Sequence, residues 1–217
     1  MASILIHDIK NPLSTIRISA GSLKKRFKTD DPSFELATFI EEEVVRMNRA
    51  VHEILTYAKP VGVRLQPTSI HEVLRKLAAR MEPALSARGM RLILKLCAQE
   101  SSVEADVDRL ERALENLVVN AMEASTGPSE IHLRTERLEE GGKLQMRISV
   151  QDYGRGMDPA TRDQVFKPFF TTKPSGTGLG LAIVRQVADE HGAKIEMESQ
   201  KGFGTRFDLT FHAMNPT

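Results

Sequence analysis

Apolar residues recur with heptad spacing over the first sixty residues of the chain. They lie alternately three and four positions apart, which is the pattern of helices that pack along a narrow seam. Residues 28–33 between the two series are polar, and Pro32 is typical of a helix start. The pattern predicts an antiparallel hairpin of two helices. The two series are Ile6, Ile9, Leu13, Ile16, Ala20, Leu23 and Phe27, and Ala37, Ile40, Val44, Met47, Val51, Ile54 and Ala58.

The hairpin needs a partner surface, because two helices alone bury too little apolar area to be stable. Pairing with a second copy into a dimeric four-helix bundle is the expected solution. The alternative is a two-helix appendage that packs on the rest of its own chain.

After the hairpin the pattern changes to strands and helices in mixed order. Lys59-Pro60-Val61-Gly62 interrupts the second helix, and Ser69 offers an N-cap for the next one. We therefore expect an α+β protein, with the hairpin over residues 1–60, a linker over 61–66 and an α/β sandwich over 67–217. Predicted helices cover about 70–88, 108–125 and a segment that ends near 191; predicted strands cover 91–96, 103–107, 130–138, 144–150, 193–199 and 205–212.

Composition excludes several classes of function. Lys plus Arg number 30 and Asp plus Glu 29, so the net charge of +1 favours neither a nucleic-acid partner nor direct membrane contact. Cys97 is the single cysteine, so no intramolecular disulfide can form and a cytoplasmic location is expected. Met1-Ala2-Ser3 does not resemble a signal peptide. It reads as the start of an internal fragment, compatible with a parent protein anchored in the inner membrane.

The first helix carries a possible nucleophile on the side away from its seam. At about 100° per residue, His7, Asp8 and Asn11 all fall on that side. An exposed neutral imidazole is a good nucleophile near neutral pH, and a neighbouring carboxylate can accept the proton from its other ring nitrogen. Asn11 can orient a water molecule but cannot titrate. The alternative is an ordinary solvated helix face.

Two asparagines share one face of the helix predicted over residues 108–125. Asn116 and Asn120 are four positions apart, so their side chains are neighbours. Side-chain amide oxygens are hard ligands that suit Mg²⁺ bridging to phosphate groups. Solvent-facing asparagines are the alternative, although the helix is otherwise largely apolar.

Two glycine-rich turns follow. Asp152 comes directly after a predicted strand and precedes Gly154 and Gly156. A carboxylate there can accept a hydrogen bond from an exocyclic amine, and the glycines let the backbone approach a planar ring. Taken alone, Asp-x-Gly-x-Gly is a common turn.

The second turn leads into the last predicted helix. Gly176, Gly178 and Gly180 alternate, and the first backbone N–H groups of that helix would face an anion. The spacing matches neither the P-loop nor the dinucleotide-binding fingerprint. The apolar stretch 166–173 before it is a candidate lid, with phenylalanines as anchors.

These segments together resemble the sequence boxes of the sensor histidine kinases. Their order over the whole chain makes the resemblance specific, since each segment is short. The second half accordingly resembles the Bergerat-type ATP-binding fold of gyrase, MutL and the heat-shock chaperone, and the first half the dimerisation and phosphotransfer hairpin. The H-box corresponds to residues 7–13, the N-box to 116–120, the G1 box to 152–157, the F-box to 166–170 and the G2 box to 176–180.

The resemblance implies an ATP-dependent histidine kinase of two-component signalling. His7 would accept the γ-phosphoryl group with Asp8 as base, and the group would pass to an aspartate of a response regulator receiver domain. Asn11 would position water for dephosphorylation of that regulator. A homodimer through the hairpin is implied as well.

The resemblance also assigns nucleotide contacts. Asn116 and Asn120 would hold Mg²⁺, and Asp152 would bind the adenine amine of ATP. Glu123 departs from the basic residue of many family members, which removes any phosphate contact there. The remaining implied contacts are Gly154 and Gly156 in the pocket wall, Gly176, Gly178 and Gly180 at the phosphates, Lys173 and Thr177 in the lid, and Thr205 at the adenine site.

Two other functions use the same residues. An ATPase or a serine-directed kinase would leave His7 incidental. A dimeric scaffold with a degenerate nucleotide pocket would not bind ATP at all.

Overall fold

The computed structural model describes residues 2–58, 62–97, 102–173 and 176–214. The chain divides into two compact units. The first unit contains Met1–Val61 together with Thr171–Leu179, and the second contains Gly62–Phe170 together with Gly180–Thr217. The grouping of residues 171–179 with the first unit was not foreseen from the sequence.

The first unit is built on two packed helices. Helix α1 spans Ala2–Lys24, and helix α2 spans Pro32–Ala58 and starts at the predicted proline. The side chain of Asp31 accepts a hydrogen bond from the Ser33 N–H at 2.7 Å, which holds the chain at the entry to α2. The predicted helical hairpin is confirmed.

Among the described residues of the heptad seam, four are buried and six are exposed within one hairpin. The seam residues Leu13, Ala20, Ala37 and Val44 are buried between α1 and α2. The six exposed seam residues form an apolar stripe along the hairpin that the described residues of its own unit do not cover. They are Ile16, Leu23, Phe27, Ile40, Met47 and Ile54.

The second unit is an α+β sandwich. Its main sheet has the strand order β2-β4-β5-β7-β6, in which β2 and β4 are parallel and the other neighbours antiparallel; β1 and β3 form a separate antiparallel pair. The elements are β1 (Gln66–Ser69), α3 (Ile70–Ser86), β2 (Arg91–Lys95), β3 (Ser102–Ala105), α4 (Val107–Ala124), β4 (Glu130–Glu140), β5 (Lys143–Asp152), α5 (Pro159–Arg162), α6 (Gly180–Glu190), β6 (Lys194–Gln200) and β7 (Gly204–His212).

The core of this unit lies between the sheet and the helices. Met146, Ile148 and Val150 alternate along β5 and are buried, as the sequence pattern predicts for one face of a strand. Helix α4 packs against β4, β5 and β7 through an apolar stripe of buried residues. The predicted α+β fold is confirmed. The stripe consists of Leu110, Ala113, Leu114, Leu117, Val118, Ala121 and Met122.

Two short elements were missed by the sequence prediction. Gln66 was expected to end the linker and residues 67–69 to cap a helix, and Ser69 does cap α3 by accepting from the Glu72 N–H at 3.1 Å. The same residues also form β1, which pairs with β3. Four residues that include a proline carry too little periodicity to predict a strand. Helix α5, a single turn capped by Asp158, was missed for the same reason.

None of the helices in the described ranges combines the length and the apolar character needed to span a bilayer.

Candidate functional site

Helix α4 brings its two asparagines against the start of α6. A Cβ atom built on Gly180, the first residue of α6, would lie 3.8 Å from Asn116 Oδ1 and 3.8 Å from Asn120 Nδ2. Both amides therefore face the end of a helix whose first backbone N–H groups favour an anion.

One of these amides has an unsatisfied atom. Asn116 Nδ2 is buried and has no hydrogen-bond partner within the part of the chain that the structure describes. A buried polar atom without a partner costs about 1–3 kcal/mol, so such atoms are rare unless a ligand or water completes them. The two ends of an amide exchange by a flip, so the group can offer either a donor to phosphate or an oxygen to a cation.

The carboxylate of Asp152 lies at the end of β5. Asp152 is only 4% exposed, and its Oδ1 accepts a hydrogen bond from the Gly154 N–H at 2.8 Å. Its cross-strand neighbour on β7 is the buried Thr205, whose hydroxyl lies 2.9 Å from the Ser199 hydroxyl. The structure thus pairs two of the predicted adenine-site residues on adjacent strands.

The turn after Asp152 packs closely against the backbone of two other segments, at the end of α4 and at the end of β6. A Cβ atom at Gly154 would collide with the Ala124 carbonyl at the end of α4, and the Arg155 N–H donates to that same oxygen at 3.0 Å. Gly156 has a φ of +59°, and a Cβ there would collide with the Gln200 carbonyl. These contacts fix Asp152 relative to the helix that carries Asn116 and Asn120.

The sequence analysis did not identify a third glycine that packs against the backbone beside Asp152. Gly204 has a φ of +97°, and a Cβ atom there would collide with the Asp152 carbonyl oxygen. The signal was present in the Gly202-Phe203-Gly204-Thr205 stretch, where only Thr205 was singled out. A glycine between two strands often marks such a close backbone approach.

Four residues that the sequence predicts to contact the nucleotide lie in the segment Thr171–Leu179, which groups with the first unit. They are Lys173, Gly176, Thr177 and Gly178. Within that segment the Gly176 N–H donates to the Lys173 carbonyl at 3.2 Å, and the Leu179 N–H donates to the Thr177 hydroxyl at 3.3 Å. Gly178 has a φ of +71°. These four residues therefore belong to a different unit from Asn120 and Asp152.

The candidate lid stretch has one anchored aromatic ring in the second unit. Phe166 packs edge-on against Phe207 with ring centroids 6.0 Å apart. Phe169 is exposed and has a positive φ of 65°, so it anchors nothing within its own unit.

The predicted phosphoacceptor group lies in α1. The helix includes His7 and Asp8, but the side chains of both fall outside the described residues. The Asn11 side chain is exposed, as predicted, and the backbone carbonyl of Asn11 accepts from the Thr15 hydroxyl at 3.2 Å.

Two of the described histidines beyond α1 form hydrogen bonds between elements of the second unit. His71 Nε2 lies 3.1 Å from the Thr135 hydroxyl, and His191 Nε2 accepts from the Asp106 N–H at 2.9 Å. Across the described ranges, no cluster of three or more His, Cys, Asp or Glu side chains could hold a metal ion. The side-chain amide oxygens of Asn116 and Asn120 are hard ligands of the kind that fits Mg²⁺.

Two family models match the chain in consecutive segments. Residues 1–61 match the His Kinase A (phospho-acceptor) domain. Residues 105–215 match the model described as histidine kinase-, DNA gyrase B-, and HSP90-like ATPase.

Two relatives illustrate the similarity in sequence. The sensor histidine kinase ZraS of Klebsiella oxytoca is 33% identical over 207 residues, which cover 95% of this chain and 44% of ZraS. The sensory histidine kinase/phosphatase NtrB of Escherichia coli O157:H7 is 35% identical over 210 residues, which cover 91% of this chain and 58% of NtrB. The chain thus spans about half the length of these curated relatives.

Solved structures agree with the sequence matches. Full-length ShkA in complex with AMPPNP superimposes with a TM-score of 0.78 at 25% identity, covering 98% of this chain and 46% of ShkA. The histidine kinase ThkA, solved in complex with the response regulator protein TrrA, superimposes with a TM-score of 0.71 at 27% identity, covering 99% of this chain and 61% of ThkA.

Proposed function

Since this chain belongs to the sensor histidine kinases, we propose that it transfers the γ-phosphoryl group of ATP to His7 and then to an aspartate of a response regulator receiver domain. One observation carries the nucleotide half of this proposal. The buried Asn116 Nδ2 lacks a partner among the described residues and lies beside Asn120 at the start of α6.

ATP would lie against the second unit. The Asp152 carboxylate would accept from the adenine amine, with Thr205 beside it on the next strand and Gly154 and Gly156 in the wall. Asn116 and Asn120 would hold a Mg²⁺ ion, which neutralises charge on the triphosphate. The phosphates would lie at the start of α6 beside Gly180, where a Cβ atom would be 3.8 Å from both amides. Contacts from Lys173, Gly176, Thr177 and Gly178 to the phosphates stay a prediction from the sequence.

The chemical step needs alignment more than covalent assistance. A ring nitrogen of neutral His7 attacks the γ-phosphorus, the bond to the ADP oxygen breaks, and Asp8 takes the proton from the other ring nitrogen. In the second step a receiver carboxylate attacks the same phosphorus, Asp8 returns the proton to the other ring nitrogen, and the bond to His7 breaks to leave neutral imidazole. Asn11, exposed one turn after His7, would orient the water that later hydrolyses the acyl phosphate.

The exposed residues of the heptad seam support a homodimer through the hairpin. Ile16, Ile40 and Met47 lie on the uncovered stripe, and a second hairpin would bury them in a four-helix bundle. The receiver partnership is supported by the similarity to ThkA, whose complex with a response regulator is known. Because ATP is a cytoplasmic substrate, the core would act in the cytoplasm.

Incubation with γ-labelled ATP and Mg²⁺ tests the proposal. We expect label that is lost in acid and kept in base, as for phosphohistidine, and no label in His7→Gln, which should still bind ATP. Acid-stable label would identify a hydroxyl acceptor, ATP hydrolysis without label an ATPase, and absence of ATP binding a scaffold. Each of these three results would overturn the proposal.

A further inference from the structure

A row of three polar side chains crosses three adjacent strands at the predicted adenine site. Asp152 on β5 pairs with Thr205 on β7, and Thr205 pairs in turn with Ser199 on β6. Side chains directly opposite each other on neighbouring strands share one face of the sheet, with Cβ atoms about 4.5–5.5 Å apart. Ser199 therefore adjoins Thr205 and lies one strand further from the adenine amine that Asp152 would bind.

The Ser199 hydroxyl has three hydrogen-bond partners. It accepts from the Met157 N–H at 2.9 Å, donates to the Gly204 carbonyl at 3.2 Å and lies 2.9 Å from the Thr205 hydroxyl. A serine hydroxyl has one proton and two lone pairs. Because a carbonyl can only accept, the proton goes to Gly204, and one lone pair accepts from Met157. The remaining lone pair accepts from the O–H of Thr205.

This arrangement fixes how Thr205 can meet a ligand. Its single proton is directed to Ser199, so its oxygen has only lone pairs to offer. The neighbouring Asp152 carboxylate is an acceptor too, as its bond from the Gly154 N–H shows. Two adjacent acceptors suit the two N–H bonds of an exocyclic amine, and they repel a carbonyl oxygen in the same place.

We propose that Ser199 is a positioning residue that makes the site selective for purines with an amine at ring position 6 over purines with a carbonyl there. Ser199 acts through Thr205 and does not touch the nucleotide. Without its hydroxyl, the Thr205 O–H loses its acceptor and can turn toward the ligand, where it would donate to a carbonyl oxygen. The proposal rests on the proposed kinase function, since it concerns the nucleotide of that site.

ADP and inosine diphosphate are the matched ligands for the test. They share the ribose and the phosphates and differ only in the amine or carbonyl at position 6 and in the proton that the carbonyl form carries on N1. Neither has a γ-phosphate, so no transfer occurs during a titration with Mg²⁺. We expect the unaltered protein to bind ADP about tenfold or more tightly, since a carbonyl would leave both acceptors unpaired.

Removal of the serine hydroxyl should reduce this selectivity. In Ser199→Ala the ratio of the two affinities should fall about threefold or more, the size of one lost hydrogen bond. Ser149→Ala is the matched control and should leave the ratio unchanged. Ser149 lies on β5 but alternates with the buried Ile148 and Val150, so it is on the opposite face of the sheet from Asp152. An unchanged ratio in Ser199→Ala, or equal weakening of both nucleotides, overturns the proposal.

A second variant tests the route through Thr205. Thr205→Val removes the oxygen on which Ser199 acts at nearly the same volume. It should lower the ratio on its own, and addition of Ser199→Ala should lower the ratio no further. An unchanged ratio in Thr205→Val overturns the proposal, as does a further fall in the double variant, because Ser199 would then act by another path.

Hydrogen exchange tests the Ser199 contact without any nucleotide. The Met157 amide should be protected in the unaltered protein and in Ser149→Ala, and it should exchange about tenfold faster or more in Ser199→Ala. A Met157 amide that exchanges at the unprotected rate in the unaltered protein overturns the proposal.

The titrations also separate this proposal from the kinase proposal. If the unaltered protein binds ADP and inosine diphosphate equally well, the selectivity proposal is wrong and the kinase proposal stands. If it binds neither, both are wrong. Selective binding of ADP by a protein that never labels its histidine would support the role of Ser199 and contradict the kinase proposal alone.

Discussion

The amide pair on α4 shows how much of the site depends on single residues. The spacing of Asn116 and Asn120 predicted that they share a helix face, and the structure adds what spacing cannot give: a buried nitrogen without a partner among the described residues, beside the first glycine of α6. Burial depends on which elements pack together, so it could not be read from a helical pattern alone.

Replacement of one amide should remove metal-dependent nucleotide binding. We expect Asn120→Ala to weaken affinity for an ATP analogue by about tenfold or more in the presence of Mg²⁺, since a lost bond to a charged group costs about 1.5–3 kcal/mol. Titration calorimetry with and without Mg²⁺ measures this. Asn48→Ala is the matched control, because Asn48 lies on α2 and donates to the Val44 carbonyl at 3.1 Å. Equal affinities in all three proteins would contradict the assignment.

The pKa of Asp106 makes a residue-scale prediction about pH, because burial acts to raise it but hydrogen bonds from the Arg64 and Arg109 N–H groups outweigh burial and hold it below its usual value. A carboxyl group whose pKa is lower in the folded protein stabilises that state above the unfolded pKa, here near 3.8, and the contribution is lost as pH falls through the folded value. The difference in free energy of unfolding between the unaltered protein and Asp106→Ser should be constant from pH 6 to 8 and shrink below pH 4. Urea unfolding at several pH values measures it; a constant difference down to pH 2 would exclude the linkage.

At the scale of elements, long periodic segments were predicted and short ones were not. The heptads of α1 and α2 and the alternation along β5 repeat often enough to identify each element. Strand β1 exists because β3 pairs with it, and α5 because Asp158 caps it. Such elements are specified by a partner or a single side chain, which a local pattern does not contain.

The uncovered stripe of the hairpin makes an element-scale prediction. Ile16→Glu should convert the dimer into a monomer at micromolar concentration, because a charge would be buried in the four-helix interface. Ile18→Glu is the control: Ile18 is also exposed, but it lies about 140° around α1 from the buried Leu13, off the seam. Light scattering coupled to size exclusion gives the mass of each. A dimer in both variants would place the interface elsewhere.

At the scale of the whole molecule, the sequence indicated two parts and their order, and the α+β class was correct. It did not indicate that Thr171–Leu179 groups with the helices while the chain on either side belongs to the sheet unit. Each unit is therefore built from segments that are not adjacent in sequence. A prediction that takes the residues in linear order does not detect this grouping of residues 171–179 with the first unit.

The wall beside Asp152 has a consequence for how this protein could diverge. At Gly154, Gly156 and Gly204 the obstacle to any side chain is a carbonyl oxygen of another segment, which no neighbouring substitution can trim. Single substitutions therefore cannot change the shape of that surface. New ligand preferences would have to arise at its rim, for example at the exposed Tyr153, while the main-chain surface itself stays the same from one descendant to the next.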